Sequence, residues 1–437
     1  MKSYSENEIT EHFLPFINQA TSPYHVVNTC MTELSANGFE ELNFQDTWNL
    51  IPGHAYFTKP YGTTLFAFRI GNSLSEHTNF RIVASHTDHP GFRIKPNPEI
   101  TEKGYLKLNT ETYGGAILNT WMDRPLSIAG KVTLRSNQLF FPETRIVDFK
   151  EPLLTIPNLA IHMNRAVNSG IELNKQIDML PLFSMNQNNT DETDFFLCYL
   201  AETLKVDTSD ILDFDLYIYN MESGCSLGRK QEFFSSPRLD NLTSVYASLH
   251  ALIDAPVPKE DILISAFFDN EEIGSRTKQG ADSLLTQILL EKIFNGLSFS
   301  RQNLLNTIMR SFLISADVAH GYHPNHGAKN DPTNITQLNQ GVVLKINSNQ
   351  KYATDTEAIS IIQQICHAYD IPYQKFVNRS DIPGGGTLGS ITSSWLPMNT
   401  VDLGIPLLAM HSARETCGIK DELALIQLLH AFYSCDK

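Results

Sequence analysis

Residues 262–274 read Ile-Leu-Ile-Ser-Ala-Phe-Phe-Asp-Asn-Glu-Glu-Ile-Gly, an apolar, β-branched run that ends abruptly in three carboxylates. A continuous apolar run of that length is the pattern of a central strand covered on both faces, opening at its C-terminal end into a site. Placing Glu271 and Glu272 side by side at such a point is costly, because adjacent anions repel and each loses hydration. A cation there removes the cost. The alternative is a surface acidic loop, where charged side chains ordinarily lie. Four other strand or loop ends in the chain also deliver a His or an Asp, which favours the cation.

At 437 residues the chain exceeds one ordinary core, so two domains are expected, with room for one to be inserted into the other. The net charge of −15, from 48 acidic against 33 basic residues, argues against nucleic acid and anionic membranes as partners. The six cysteines form no CxxC or zinc-finger spacing and read as reduced thiols. The first residues, Met-Lys-Ser-Tyr-Ser-Glu-Asn-Glu, lack the basic-then-apolar order of a signal peptide, and no apolar stretch of membrane length follows. A cytoplasmic protein is expected.

Residues 7–20 and 22–37 read as helices, the second opened by Ser22 and Pro23 and stopped by Gly38. Strands at 54–59 and 63–70 form a hairpin. Arg81-Ile-Val-Ala-Ser then runs into His86-Thr87-Asp88-His89-Pro90, where extended backbone points His86 and Asp88 to one side. An aspartate so placed orients a metal-bound imidazole; a structural His in a turn is the plainer alternative. From 93 to 235 short alternating segments are broken by Gly, Asn and Pro, and 194–205 alone is clearly helical. This reads as a β-rich module inserted into a domain that runs from 1 to 92 and resumes from 236 to 437. Gly114-Gly115 and Trp121-Met-Asp-Arg-Pro read as a turn and a buried ion pair, and His162 as a packed histidine.

Asp240 lies at the mouth of a helix marked by Leu242, Val245, Leu249 and Leu252, a position for an N-cap, a ligand, or both. The apolar Phe312-Leu-Ile-Ser-Ala ends in Asp317, followed by His320, His323 and His326. Gly321 and Pro324 exclude the regular helix that would align those histidines, so Asp317 is the better ligand. Lys345 sits inside an apolar strand and needs an anion, from the protein or from a substrate. The Gly384-Gly385-Gly386 turn lacks both the dinucleotide and the P-loop spacing. A last strand at Thr400, then His411 and a helix from 421 to 433, complete an α/β fold: a mixed central sheet with helices on both faces plus the β-rich insert.

The tips taken together are His86, Asp240, Glu271 with Glu272, Asp317 and His411. Two histidines and several carboxylates without cysteine suit a pair of zinc ions, with cobalt or manganese as alternatives. Three carboxylates and a hydroxide balance the four charges of two divalent ions, the cheapest cluster to hold in low dielectric. One carboxylate remains over, and hydrolysis needs a general base.

His-Thr-Asp, Pro-Arg-Leu-Asp-Asn, Asp-Asn-Glu-Glu-Ile-Gly, Ser-Ala-Asp-Val-Ala-His-Gly and Ala-Met-His-Ser-Ala-Arg-Glu stand in the order and approximate spacing of the aspartyl aminopeptidase family of zinc metallo-exopeptidases, which the chain resembles over nearly its whole length. The resemblance implies that His86 and Asp317 hold one metal, that Glu272 and His411 hold the other, and that Asp240 bridges them. It implies Glu271 as general base and Asp88 as the group orienting His86. It implies that His320, Lys345 and Tyr352 contact substrate, and that His162 reaches a neighbouring subunit's site. It also implies a dimerisation role for the insert and a closed assembly, commonly a dodecamer. His89 and the Gly384–Gly386 turn depart from the family's usual residues, a small residue and Cys-Gly-Ser. The expected activity is removal of an N-terminal residue, preferably Asp or Glu, from peptides. The rivals are a broad aminopeptidase, dipeptidase or deacylase on the same scaffold, and a non-catalytic metal-binding scaffold protein.

Overall fold

The computed structural model describes residues 4–186 and 194–435. The chain divides into two compact units, one formed by 1–88, 224–410 and 415–437, the other by 89–223 and 411–414.

The first unit is built on a nine-stranded mixed sheet. Its order is Glu40–Leu42, Ala55–Tyr61, Thr64–Ile70, Ile262–Phe268, Phe80–His86, Phe312–Ala316, Asn399–Gly404, Val342–Lys345 and Tyr373–Phe376. Ile262–Phe268 is buried at every residue, as its unbroken apolar pattern requires. Its side chains alternate. Leu263 and Phe267 enter a core formed with helices Glu6–Gln19, Pro23–Ala36, Leu239–Asp254, Thr356–Ala368 and Ile419–Ser434. Ile262, Ile264, Ala266 and Phe268 enter a second core with Leu285–Gly296, Arg301–Arg310 and Leu388–Trp395. A period of two along the strand is what fills both faces. The one polar residue in the run, Ser265, bonds Ser248 at 2.8 Å and Tyr433 at 3.0 Å, so its burial leaves no hydroxyl unsatisfied.

Local signals place the helix ends. Ser5 and Glu8 form a reciprocal capping box, and Pro23 stands in the first turn after Ser22. The C-terminal helix is fastened to the sheet by Arg81, whose guanidinium makes a two-pronged ion pair with Asp261 and donates to the carbonyls of Phe432 and Cys435. Helices Arg301–Arg310 and Leu388–Trp395 have no counterpart in the sequence reading: the first is opened by a Ser300–Asn303 capping pair, the second follows the glycine-rich turn directly.

The second unit is a six-stranded antiparallel sheet ordered Glu143–Asp148, Leu126–Leu134, Ile211–Asn220, Gly91–Glu102, Tyr105–Tyr113 and Leu182–Met185. Helix Phe195–Leu204 packs with Phe92, Leu108, Ile128, Leu216 and Ile218. Pairing of Gly91–Glu102 slips between Ile94 and Glu99, where Pro96 and Pro98 have no N–H to give the ladder. Arg124 pairs with Glu222, whereas Asp123 accepts the backbone and side-chain amides of Asn158. The acid and base of Trp-Met-Asp-Arg-Pro are therefore anchors to two different segments.

Glu422, in the C-terminal helix of the first unit, is fully buried, and neither of its carboxyl oxygens has a hydrogen-bond partner among the described residues. Burial, then the neighbouring Asp421, pushes it well above its ordinary value of 4.5. The folded protein thus holds a proton there that the unfolded chain releases, and stability falls as pH rises from about 4.5 towards the folded-state value. Such linkage is worth about 1.4 kcal/mol per pH unit across the window. Glu422→Gln is therefore expected to melt above the wild type at pH 8, with the gap narrowing towards pH 5; a gap in thermal midpoint that does not change with pH would refute the linkage.

Candidate metal centre and active site

Phe80–His86, Ile262–Phe268 and Phe312–Ala316 run mutually parallel, so their C-terminal ends emerge at one edge of the first unit's sheet. His86 is the last residue of its strand and pairs with Phe268. Glu271 and Glu272 follow in a single 3-10 turn, reached through Asn270 at φ 62°. Asp317 comes directly after Phe312–Ala316, its amide bonded to the Leu403 carbonyl at 2.9 Å. Gly404 permits that approach, since a Cβ there would overlap the Asp317 carbonyl oxygen.

His86 is buried, and its Nδ1–H donates to the Asp88 carbonyl at 3.0 Å. That bond fixes the tautomer and aims Nε2 at Asp240 Oδ1, 3.4 Å away, and Asp317 Oδ1, 3.6 Å away. A lone pair facing two carboxylate oxygens needs a proton or a metal between them. The Asp88 carboxylate lies 3.4 Å from Nδ1 and accepts the amides of Glu271 at 3.2 Å and Glu272 at 3.1 Å. One aspartate thereby fixes both the histidine and the acidic turn.

Asp240 does not act as an N-cap side chain. Arg238, at φ 61°, holds the cap position of Leu239–Asp254, and Asp240 departs from helical geometry with its carboxylate beside His86. Its amide donates to buried Glu415 at 3.0 Å, and Asn241 donates to the Ala316 carbonyl at 2.9 Å. Glu415 is reached through a small five-stranded sheet in which it pairs with Ser236. The Ala-Met-His-Ser-Ala-Arg-Glu motif contains Glu415 without marking its task; its place four residues after His411 is the signal that the sequence offers.

The electrostatics are strained in the protein alone. Desolvation, opposed by His86 and reinforced by Asp317, Asp88 and Asp240, pushes the Glu271 carboxyl up to about 8. Desolvation and Asp240 push Glu272 well above its usual range. Burial works against the His86 imidazolium, yet Asp240, Asp317 and Asp88 raise it well above its ordinary value. A divalent cation reverses each of these pressures. Ligand atoms of His86, Asp240 and Glu272 all lie within 4.8 Å of one another. Two ligands on a tetrahedral zinc, each at about 2.1 Å, stand about 3.4 Å apart, which is the His86–Asp240 spacing and is too long for a hydrogen bond. Imidazole and carboxylates without thiolate are a fitting set for zinc.

Lys345, the last residue of Val342–Lys345, is buried; it donates to the Val318 carbonyl at 3.1 Å and lies 3.5 Å from Asp317 Oδ2. The anion that a buried lysine requires is thus Asp317. Its ammonium stands 5.2 Å over the ring of Tyr352. His320 is exposed, its ring 5.9 Å from that of Phe376, and the rings of His323 and His326 lie 4.8 Å apart, tilted at 46°, without joining any metal-capable group among the described residues.

His411 and His162 belong to the second unit. His411, at φ 68°, donates from Nδ1 to the Gly115 carbonyl at 3.2 Å, and its own carbonyl accepts from Ile117 at 3.0 Å. A Cβ at Gly115 would come within 3.3 Å of that nitrogen, so the Gly114-Gly115 pair serves to seat His411. His162 is exposed, in an irregular segment with Leu159, Ile161 and Met163 also exposed.

Residues 16–433 match the family described as aminopeptidase I zinc metalloprotease (M18). A probable M18 family aminopeptidase 2 from Clostridium novyi is 45% identical over 428 residues, covering 98% of this chain and 99% of its own. A solved chain of the Ape4 and Nbr1 complex superposes with a TM-score of 0.93 at 33% identity, covering 98% of this chain and 86% of that one. The mApe1 dodecamer of yeast gives 0.85 at 26% identity, covering 98% and 97%. The extent and identity of these matches leave one conclusion: the chain belongs to the M18 family of zinc aminopeptidases.

Proposed function

We propose that the protein is a binuclear zinc aminopeptidase that removes an N-terminal residue, preferably Asp or Glu, from cytoplasmic peptides. The observation that carries this reading is the spacing of His86 Nε2 from Asp240 at 3.4 Å and from Asp317 at 3.6 Å, metal-ligand spacing among groups too acidic to coexist unneutralised. His86 and Asp317 would hold one ion, Asp240 would serve both, and Glu272 would hold the second; the fifth ligand, His411, is assigned on the family resemblance alone. When bound, the zinc ions supply Lewis acidity towards the scissile carbonyl and make a water more acidic.

Glu271 takes a proton from the attacking water and returns it to the leaving amine. Its place among carboxylates and beside His86 suits a group that accepts a proton once a cation has relieved the pressures that hold it protonated in the protein alone. Asp88 keeps Glu271 in register through the backbone amide, and keeps the His86 ring aimed at Asp317 and Asp240. Lys345, a cation inside a strongly acidic protein, draws an acidic side chain, with Tyr352 and His320 on the substrate side and His162 reaching a neighbouring subunit. The structure joins no two of the described cysteines in a disulfide. No helix among the described residues is long and apolar enough to cross a membrane.

The β-rich module, expected at 93–235 and gathered in the structure as 89–223 with 411–414, is assigned to dimerisation within a dodecamer of the kind that mApe1 forms. Leu139, Phe140 and Phe141, at the turn between Leu126–Leu134 and Glu143–Asp148, are 97%, 91% and 70% exposed, an apolar tip that water disfavours.

Three outcomes test this reading. Glu271→Gln should keep about two zinc ions per chain by elemental analysis while kcat drops at least about a hundredfold; loss of zinc along with turnover would make Glu271 a ligand instead. Lys345→Ala should lower the ratio of Asp-amide to Leu-amide turnover by about tenfold or more, and an unchanged ratio removes Lys345 as the selector. Replacing Leu139, Phe140 and Phe141 together by Ser should shift the assembly to smaller species in light scattering, and an unaltered mass would show that the tip lies outside the subunit contacts.

A further inference from the structure

Asp402 lies in the middle of Asn399–Gly404, opposite Ser315 and wholly buried, and nothing in the proposed chemistry uses it. Each of its carboxylate oxygens receives a donor from a different segment. Oδ1 accepts from the Thr387 hydroxyl at 2.5 Å, and Oδ2 accepts from the Ala353 amide at 2.6 Å. The Asp402 amide in turn donates to the Thr354 hydroxyl at 2.9 Å. Thr387 occupies the N-cap of Leu388–Trp395, where a threonine ordinarily bonds its own helix; its side chain makes no such bond and is committed to Asp402. The first turn of that helix presses so closely that a Cβ on Gly389 would come within 2.6 Å of both carboxylate oxygens.

One tethered segment lies against Lys345 and the other against that segment, since a Cβ on Gly386 would stand 3.7 Å from the Lys351 carbonyl oxygen. Ala353 follows Tyr352, whose ring lies under the Lys345 ammonium, and Thr387 ends the glycine-rich turn 384–386. Charge-assisted bonds to a buried carboxylate are the strong class of hydrogen bond, and two of them on one side chain fix two loops in one register.

We propose that Asp402 is a positioning residue for substrate recognition: by holding Ala353 and Thr387 it sets the Tyr352 loop against Lys345 and the glycine-rich turn against that loop. It acts through those neighbours and touches no reacting atom. An asparagine has the same shape but offers one acceptor oxygen and an NH2 against two donors, so one tether breaks. The expectation rests on the aminopeptidase reading for its kinetic arm alone.

The test uses the full-length, zinc-loaded protein. In Asp402→Asn and in Thr387→Val, KM for an Asp-amide reporter should rise about tenfold while kcat stays within about threefold, with zinc content as in the wild type. Thr387→Ser, which restores the hydroxyl, should return KM to the wild-type value. The double variant should be little worse than either single one, because both break one unit. Hydrogen–deuterium exchange supplies a readout independent of turnover: peptides covering 350–356 or 384–390 should exchange faster in Asp402→Asn and those covering 384–390 in Thr387→Val, with the wild-type rate in Thr387→Ser. Unchanged KM with unchanged exchange overturns the role, as does a fall in kcat with KM unaltered. If Asp402→Asn does not fold, the Thr387 pair decides alone. A wild-type protein that leaves the Asp-amide reporter uncut sinks the acid-preferring reading, while the exchange measurement still decides whether Asp402 positions these segments.

Discussion

A histidine nitrogen aimed at two carboxylate oxygens, with two more glutamates alongside, is an arrangement that no apolar core tolerates unless positive charge is placed within it. The first unit is arranged around that constraint. The edge of the sheet where Phe80–His86, Ile262–Phe268 and Phe312–Ala316 end is where the acidic groups collect, and the strands behind it are sealed on both faces by apolar side chains. The division of labour is physical. Burial of the strands supplies rigidity and stability, while the crowding of anions at their tips stores an affinity for cations that a zinc enzyme of this family uses.

Much of this was legible in the chain, because its signals are local. An unbroken β-branched run that stops at carboxylates marks a central strand and its tip without reference to any other segment, and the Ile262–Phe268 strand has those bounds. Ser22 with Pro23 and the alternation of Leu126–Leu134 are likewise readable within one element. The placement of His86, Glu272 and Asp317 at one edge needed only the rule that parallel strands deliver their C-terminal ends together, whereas Asp240 arrives from the start of a helix.

What stayed hidden was the set of buried polar groups whose partners are distant in sequence. Asp240 reads as a helix cap because Asp before an apolar period usually is one; its departure from helical geometry depends on Glu415 and Asn241, which answer to contacts 175 and 75 residues away. Asp402 looks like any acid in a strand until Thr387 and Ala353 are brought against it. Helix Leu388–Trp395 was masked by the glycines before it, and its N-cap side chain serves another residue, so the usual start signal is spent elsewhere.

Lys345 ties the two halves of the proposed chemistry together. Its ammonium is held by Asp317 and the Val318 carbonyl, so the charge proposed to attract an acidic substrate also offsets one of the proposed ligands. Burial would lower its proton affinity, but Asp317, then Tyr352 and Asp402, raise it, and it stays charged throughout the neutral range. When a cation occupies the site, the Asp317 charge is shared with it and the lysine's field is less neutralised, so it extends further towards the substrate side. Acid recognition should therefore strengthen when metal is bound and fade when it is removed, a coupling that follows from one lysine answering to both partners.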